Sequence, residues 1–417
     1  MGIDKQKVAG LSSSMITCHE EKEMNISEPL HRRTFLVKSA LAAGALPLIA
    51  GELQGEKLAA FSLNDGSTAT APRIVARSII FKAPSKDPYE LKNLHGFNHA
   101  TSVVTLPDGR LLAAWFSGPF EASVHQVILA SYSSDKGKTW SAAKVLQDTP
   151  RKSDFDPAFI VDGKRLWFFY SVGRWNRYPF VGDEKNEVGA VSFKVYHRYS
   201  DDSGRTWSEQ ELVLEKLGVG CRSNGIKLST GELLLPLHGF LSGVAGVLKS
   251  ADGGKTWARF GEIKTATVAH EPSIAELPSG EIMMVLRTGD GVLWQTFSKD
   301  KGETWLPAEK TDLVAARTSH NIFRLSDGRI VLTHNAAKSV RTPLTTRVSA
   351  DGGKTWGESV VIAEVPVPGP NDEVWGRQVS YPSVTALDAR TILVVWGELY
   401  LSATEQYGDI HSATVVV

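Results

Sequence analysis

The chain has 417 residues, long enough for one large domain or two ordinary ones. Its 46 basic residues balance 46 acidic ones, which excludes the net charge that draws a protein to nucleic acid or to an acidic membrane surface. Cys18 and Cys221 are its only cysteines, so no disulfide framework holds the fold.

Residues 31–50 read HRRTFLVKSALAAGALPLIA. Arg32-Arg33-Thr34-Phe35-Leu36, followed by the apolar run 40–50, resembles a twin-arginine export signal. The apolar run is too short to serve as a stable membrane anchor, because a spanning helix takes about 20 residues. Residues 1–60 are therefore expected to be an N-terminal extension and signal peptide, with the twin-arginine export machinery as partner. Met24 lies closer to this signal than Met1 does, and the mature chain is expected to begin between Gly51 and Ser67. A twin-arginine substrate crosses the membrane already folded, so the expected location is the periplasm or the exterior.

From Arg73 onward one pattern recurs. After a strand RIVARSIIF, alternating segments broken by a turn follow in order: SVVTLPDGRLLAAW, AFIVDGKRLWFFYSV, NGIKLSTGELLLPLH, PSIAELPSGEIMMVL, NIFRLSDGRIVLTH and YPSVTALDARTILVVW. Period-two alternation around Asp-Gly or Ser-Gly is a hairpin signature. Five of the six repeats carry an octapeptide Ser-x-Asp-x-Gly-x-Thr-Trp, at 133–140, 200–207, 250–257, 298–305 and 349–356. Its tryptophans, Trp140, Trp207, Trp257, Trp305 and Trp356, are spaced by 67, 50, 48 and 51 residues, a period that points to a propeller or an array. Within the octapeptide, Asp accepts backbone N–H groups, Gly permits positive φ and Trp fills the gap between neighbouring sheets. The sixth repeat lacks the octapeptide and ends in DIHSATVVV. Six repeats of about four strands predict an all-β fold, a six-bladed β-propeller of four-stranded antiparallel blades over 73–417. The spare strand RIVARSIIF is expected to join the last blade and close the ring.

The octapeptide matches the Asp box, or bacterial neuraminidase repeat, and the chain resembles the sialidase superfamily from Arg73 onward. In a propeller the innermost strands begin at one mouth of the central channel, so the residues just before them are where chemistry is sought. Here those positions read Asn98-His99, Asp156, Arg222-Ser223-Asn224, His270-Glu271, Ser319-His320-Asn321 and 378–381. In the superfamily a Tyr activated by a Glu attacks the anomeric carbon, three Arg hold the sugar carboxylate and an Asp is the acid/base. The segment HEPSIAELPSGEIMMVLRT resembles the Glu-to-second-Arg stretch, which makes Glu271 the activating carboxylate and Arg287 a carboxylate ligand. Arg341 resembles the third Arg, ahead of Arg347, and Tyr381 in VSYPSVTAL the nucleophile. These types suit the chemistry: a phenol beside a carboxylate can lose its proton as it attacks, and a guanidinium matches a carboxylate two bonds at a time.

Two positions depart from the family pattern. Asn98-His99-Ala100-Thr101 stands where an Arg-Ile-Pro segment is expected, and His125, with Glu121 the one carboxylate nearby, stands where the acid/base Asp is expected. Three readings follow. The first is an exported exo-glycosidase releasing a terminal anionic sugar, sialic acid or a related acid sugar, from a glycan, with Tyr381, Glu271 and His125 catalytic and Arg287, Arg341, Arg222 and His99 binding substrate. The second is a polysaccharide lyase acting on a uronate by β-elimination, through His99, His125, Tyr170, Arg198 and Arg222. The third is a non-catalytic glycan- or protein-binding propeller, since Asp boxes are structural. The sequence has neither His-Glu-x-x-His nor Cys-x-x-Cys, nor a glycine-rich phosphate loop opening a helix, so no metal and no cofactor is expected. Cys221 reads as a small buried residue.

Overall fold

The local alternation in the sequence becomes strands throughout: a computed structural model describes residues 71–85, 94–175, 190–367, 376–401 and 406–417, and no helix occurs among them. The expected export signal lies outside the described residues. Six antiparallel sheets form the blades of a propeller, the first five running outward in chain order from the channel. Their innermost strands are Phe97–Thr105, Ser153–Asp162, the pair Val219–Cys221 and Ile226–Lys227, His270–Glu276, Asn321–Arg324 and Gln378–Ala386. The expectation of four strands per blade holds, with one refinement. In blade 3 the inner strand is broken at residues 222–225, and both halves pair with Leu233–Gly239. Arg73–Phe81 pairs with Gln406–Val416 as the outer strand of blade 6, so the ring is closed by an N-terminal strand as expected.

Among the described residues the buried apolar side chains fall into six clusters, each a wedge between neighbouring blades. Box tryptophans pack on five of these: Trp140, Trp207, Trp257, Trp305 and Trp356. The remaining wedge, between blades 5 and 6, lacks one because blade 6 has no box. Each box is wired alike. In blade 3 Ser250 Oγ donates to Asp252 Oδ1 at 2.8 Å, and the Thr256 N–H and hydroxyl donate to the same carboxylate at 2.9 and 2.6 Å. The Gly254 N–H in turn donates to Ser250 Oγ at 2.8 Å.

The box glycine has a second duty that turn chemistry does not reveal. A Cβ built on Gly254 would lie 2.1 Å from Trp167, on the second strand of blade 2. Gly137, Gly204, Gly302 and Gly353 abut Leu393, Tyr132, Leu234 and Met283 in the same manner, each on the preceding blade. The octapeptide is thus a staple between blades as well as a turn within one.

Candidate active site

The site is built from a defect repeated in four of the six inner strands. One extra residue is inserted between His99 and Ser102, Phe155 and Ala158, His270 and Ser273, and Ser380 and Ser383, relative to the partner strand. Such a bulge bends the strand and re-aims a side chain. Within each, one non-glycine residue takes positive φ: Ala100 at 56°, Asp156 at 52°, Glu271 at 40° and Tyr381 at 58°. L-residues avoid that region, and residues held there cluster at functional sites. Three of the four precede a proline (Pro157, Pro272 and Pro382), which has no N–H to lose where the ladder is interrupted.

Glu271 and Tyr381 meet across the channel. The Tyr381 hydroxyl donates to Glu271 Oε1 at 2.8 Å, and Arg287 Nη1 donates both to Glu271 Oε2 at 2.5 Å and to the Tyr381 oxygen at 2.9 Å. All three side chains are buried, with residue exposures of 7, 8 and 9% in the order Glu271, Tyr381, Arg287. Burial pushes the Glu271 carboxyl up, but the charge and hydrogen bond of Arg287, together with the charges of His238 and Arg222, hold the group well below the usual carboxylate range. Burial pushes the Tyr381 phenol up to about 12, with Glu271 adding and Arg287 and Arg341 opposing. A protonated phenol therefore rests on an ionised carboxylate, an arrangement in which the proton can pass to Glu271 as the phenol oxygen attacks.

Two further guanidinium groups flank the Tyr381 ring, Arg222 at 5.0 Å and Arg341 at 5.5 Å from its centroid. Arg341 donates to Gln378 Oε1 at 2.9 Å and to the Arg317 carbonyl at 3.3 Å. His99 lies against the same ring, centroids 4.0 Å apart. Burial, then the charges of Arg341 and Arg222, lower its pKa well below the ordinary value, so the ring is neutral. The mouth thus sets an uncharged imidazole beside the two guanidinium groups.

Arg222 differs from the expectation of a substrate ligand. It is 2% exposed, and its Nη1 and Nη2 donate to the carbonyls of Thr101 and Tyr381 at 3.1 and 3.3 Å. Its Nε lies 4.0 Å from Asp156 Oδ1. The guanidinium thus reaches from blade 3 and ties the inner strands of blades 1 and 6 together beneath the ring.

His125, expected as the acid/base, lies on the turn that precedes the first octapeptide. Its side chain is exposed on the turn over 119–126, where its N–H donates to Ser123 Oγ at 3.1 Å. On the same turn Glu121 is partly buried, and its ionisation responds to Arg341, Glu271 and Arg287. The lyase set does not assemble. Tyr170 is fully buried with its hydroxyl on Gln210 Oε1 at 2.7 Å, and Arg198 Nε donates to the Ser208 carbonyl at 2.8 Å. Of that set, His99 and Arg222 lie against the Tyr381 ring.

Asp156, to which the sequence assigned no role, belongs to the site: burial pushes its carboxyl up to about 8 against the pull of Arg222. The signal that finds it is the parallel among Asp156-Pro157, Glu271-Pro272 and Tyr381-Pro382 at the openings of three inner strands.

A family model described as a BNR repeat-like domain matches residues 87–394. A sialidase of Bacteroides fragilis (strain YCH46) is 24% identical over 341 residues, which covers 70% of this chain and 58% of that protein. Among solved structures, a protein of unknown function from Dyadobacter fermentans DSM 18053 aligns with TM-score 0.64 at 17% identity, covering 83% of this chain and 99% of that one. The NanB sialidase from Streptococcus pneumoniae aligns with TM-score 0.63 at 17% identity, covering 82% of this chain and 70% of that one. At these identities the structural likeness speaks for the fold alone. The chain spans about half the length of the curated relatives it matches most fully, 58% of one sialidase and 49% of another from Micromonospora viridifaciens.

Proposed function

The chain belongs to the BNR repeat-like domain family as a propeller of the sialidase superfamily, and from that premise we propose that it is an exo-glycosidase that releases a terminal anionic sugar, sialic acid or a related acid sugar, from glycans. The observation that carries this reading is the buried contact of the Tyr381 hydroxyl with Glu271, shared with Arg287. Tyr381 is the nucleophile and Glu271 the base that receives its proton. A neutral phenol approaches an anionic sugar without bringing a second full charge to it.

Arg287 couples binding to chemistry. At rest its guanidinium suppresses the basicity of Glu271. A sugar carboxylate drawn to Arg287 and Arg341 competes for that positive charge, so Glu271 becomes a better proton acceptor when substrate is in place. Export in folded form through the twin-arginine route, to the periplasm or beyond, belongs to the same proposal and rests on Arg32 and Arg33.

The test compares wild type with Tyr381→Phe on a sialate-capped and a uronate-capped oligosaccharide. The variant is expected to retain substrate binding and lose at least about a thousandfold in turnover, as befits a covalent nucleophile. Full turnover by Tyr381→Phe, or an unsaturated product absorbing in the ultraviolet, would refute the glycosidase reading.

A further inference from the structure

Arg341 belongs to blade 5, on the loop 336–343 between its second and third strands, yet it is fastened to the inner strand of blade 6. We propose that Gln378 is a positioning residue that sets affinity for acid sugars: its amide oxygen aims the Arg341 guanidinium without neutralising it. This deepens the glycosidase reading above and rests on Arg341 as the carboxylate ligand named there.

Arg341 is tied down at both its main chain and its side chain. The Val379 N–H donates to the Arg341 carbonyl at 3.0 Å, and Arg341 Nη1 donates to Gln378 Oε1 at 2.9 Å. Gln378 and Val379 open the inner strand that carries Tyr381, so the guanidinium and the phenol are set from one strand. The loop is braced from behind: Asn335 Nδ2 donates to the carbonyls of Val379 and Pro343 at 2.8 and 3.2 Å. The amide of Gln378 has one possible orientation. A guanidinium only donates, so the amide must present its oxygen, and Ser380 Oγ donates to the same oxygen at 3.3 Å. Gln378 is buried, whereas Arg341 is partly exposed with its guanidinium 5.5 Å from the Tyr381 ring centroid.

The neutrality of this acceptor matters because the neighbouring guanidinium is held differently. Arg287 donates to the Glu271 carboxylate at 2.5 Å, an ion pair in which its charge is balanced inside the protein. Arg341 is oriented by an amide oxygen and by the Arg317 carbonyl at 3.3 Å, both of them dipoles that leave the net charge of the group in place. A glutamate in place of Gln378 has the same shape and offers the same acceptor, so it would preserve the aim. It would also form an ion pair with Arg341 in a partly buried site, where such a pair is strong, and a sugar carboxylate would have to compete with it. Gln378 thus acts on an acid sugar through the charge of Arg341, without touching the sugar itself.

The experiment measures, by calorimetry, the Kd of sialic acid and of its uncharged methyl ester for wild type, Gln378→Glu and Gln378→Met, with KM and kcat on sialyllactose alongside. Wild type is expected to bind the acid at least about tenfold more tightly than the ester. Gln378→Glu should weaken the acid by about tenfold or more and the ester by less than about threefold, raising KM while kcat stays within about threefold. Gln378→Met, which frees the guanidinium but leaves it unneutralised, should weaken the acid by a smaller factor. Melting temperatures confirm folding, and the isosteric Gln378→Glu carries the test if the Met variant does not fold. Acid binding unchanged in Gln378→Glu, acid and ester weakened alike, or a loss in Gln378→Met as large as in Gln378→Glu would each overturn the assignment. So would equal binding of acid and ester by wild type. Wild type inert on every acid-sugar glycoside overturns the glycosidase reading, while the contrast between acid and ester binding still decides the role of Gln378.

Discussion

Replacing Arg222 with Met separates a residue that grips substrate from one that holds Tyr381, the proposed nucleophile, in place. The guanidinium donates two hydrogen bonds to buried carbonyls, at 3.1 Å to Thr101 and at 3.3 Å to Tyr381. Bonds from a charged donor contribute about 1.5–3 kcal/mol each, and these lie at or beyond the long end of the usual distance range, so the lower figure applies. Met fills much of the aliphatic volume and removes a buried charge, which offsets part of the loss. Net destabilisation of about 2–3 kcal/mol follows, or a fall in melting temperature of roughly 3–4 °C for a domain of this size. One of the two freed carbonyls belongs to Tyr381, whose φ of 58° is held by its surroundings, so the proposed nucleophile should relax from its observed position. Scanning calorimetry and steady-state kinetics should therefore show a lower melting temperature and kcat reduced by about 10–100-fold, with KM within about threefold of wild type. Arg222→Lys should not rescue, because a single ammonium cannot span two carbonyls as the planar fork does. A melting temperature unchanged by Arg222→Met, together with a KM raised tenfold or more, would refute this account and return Arg222 to the substrate.

The remaining predictions concern the staple and the acid groups. Gly253 and Gly254 both have positive φ, at 73° and 84°, but a Cβ at Gly253 meets open space while one at Gly254 meets Trp167. Thermal melts should therefore show Gly253→Ala losing only the conformational cost of about 1 kcal/mol and Gly254→Ala about 1–3 kcal/mol more; equal losses would deny the inter-blade contact. Asp154 is fully buried, with Oδ2 accepting the Thr149 N–H at 2.7 Å, and burial pushes its carboxyl from 3.8 up to about 7. The folded state thus holds a proton that the unfolded chain releases. Its contribution to stability is complete below about pH 4 and disappears as pH rises through about 7. Asp154→Asn keeps an acceptor for Thr149 and should match wild type in melting temperature near pH 4, then exceed it at pH 8. A wild-type advantage that grows with pH would show the carboxyl to be ionised in the fold.

The architecture was legible because its determinants are local. Alternation, Asp-Gly turns and the octapeptide act within a dozen residues, and each repeat carries its own copy, so six blades and the closing strand Arg73–Phe81 could be counted before any contact was known. Glu271, Arg287 and Tyr381 could be picked out by family resemblance, and their meeting is a consequence of blade order, since blades 4 and 6 present their bulged inner strands to one channel. The direction of long side chains was another matter. Arg222 was legible as a residue at the mouth, yet its guanidinium is spent on carbonyls more than a hundred residues away in sequence, a pairing that exists only once the ring is closed. His125 and Glu121 lie four residues apart on one turn, and which of them is exposed and which partly buried depends on the positive φ of Ala122 and the bonds of Gln126, neither of which composition or spacing encodes. The turns and strands of this protein are thus written in its short-range chemistry, whereas the roles of its charged groups follow from burial and from neighbours that closure of the propeller brings together.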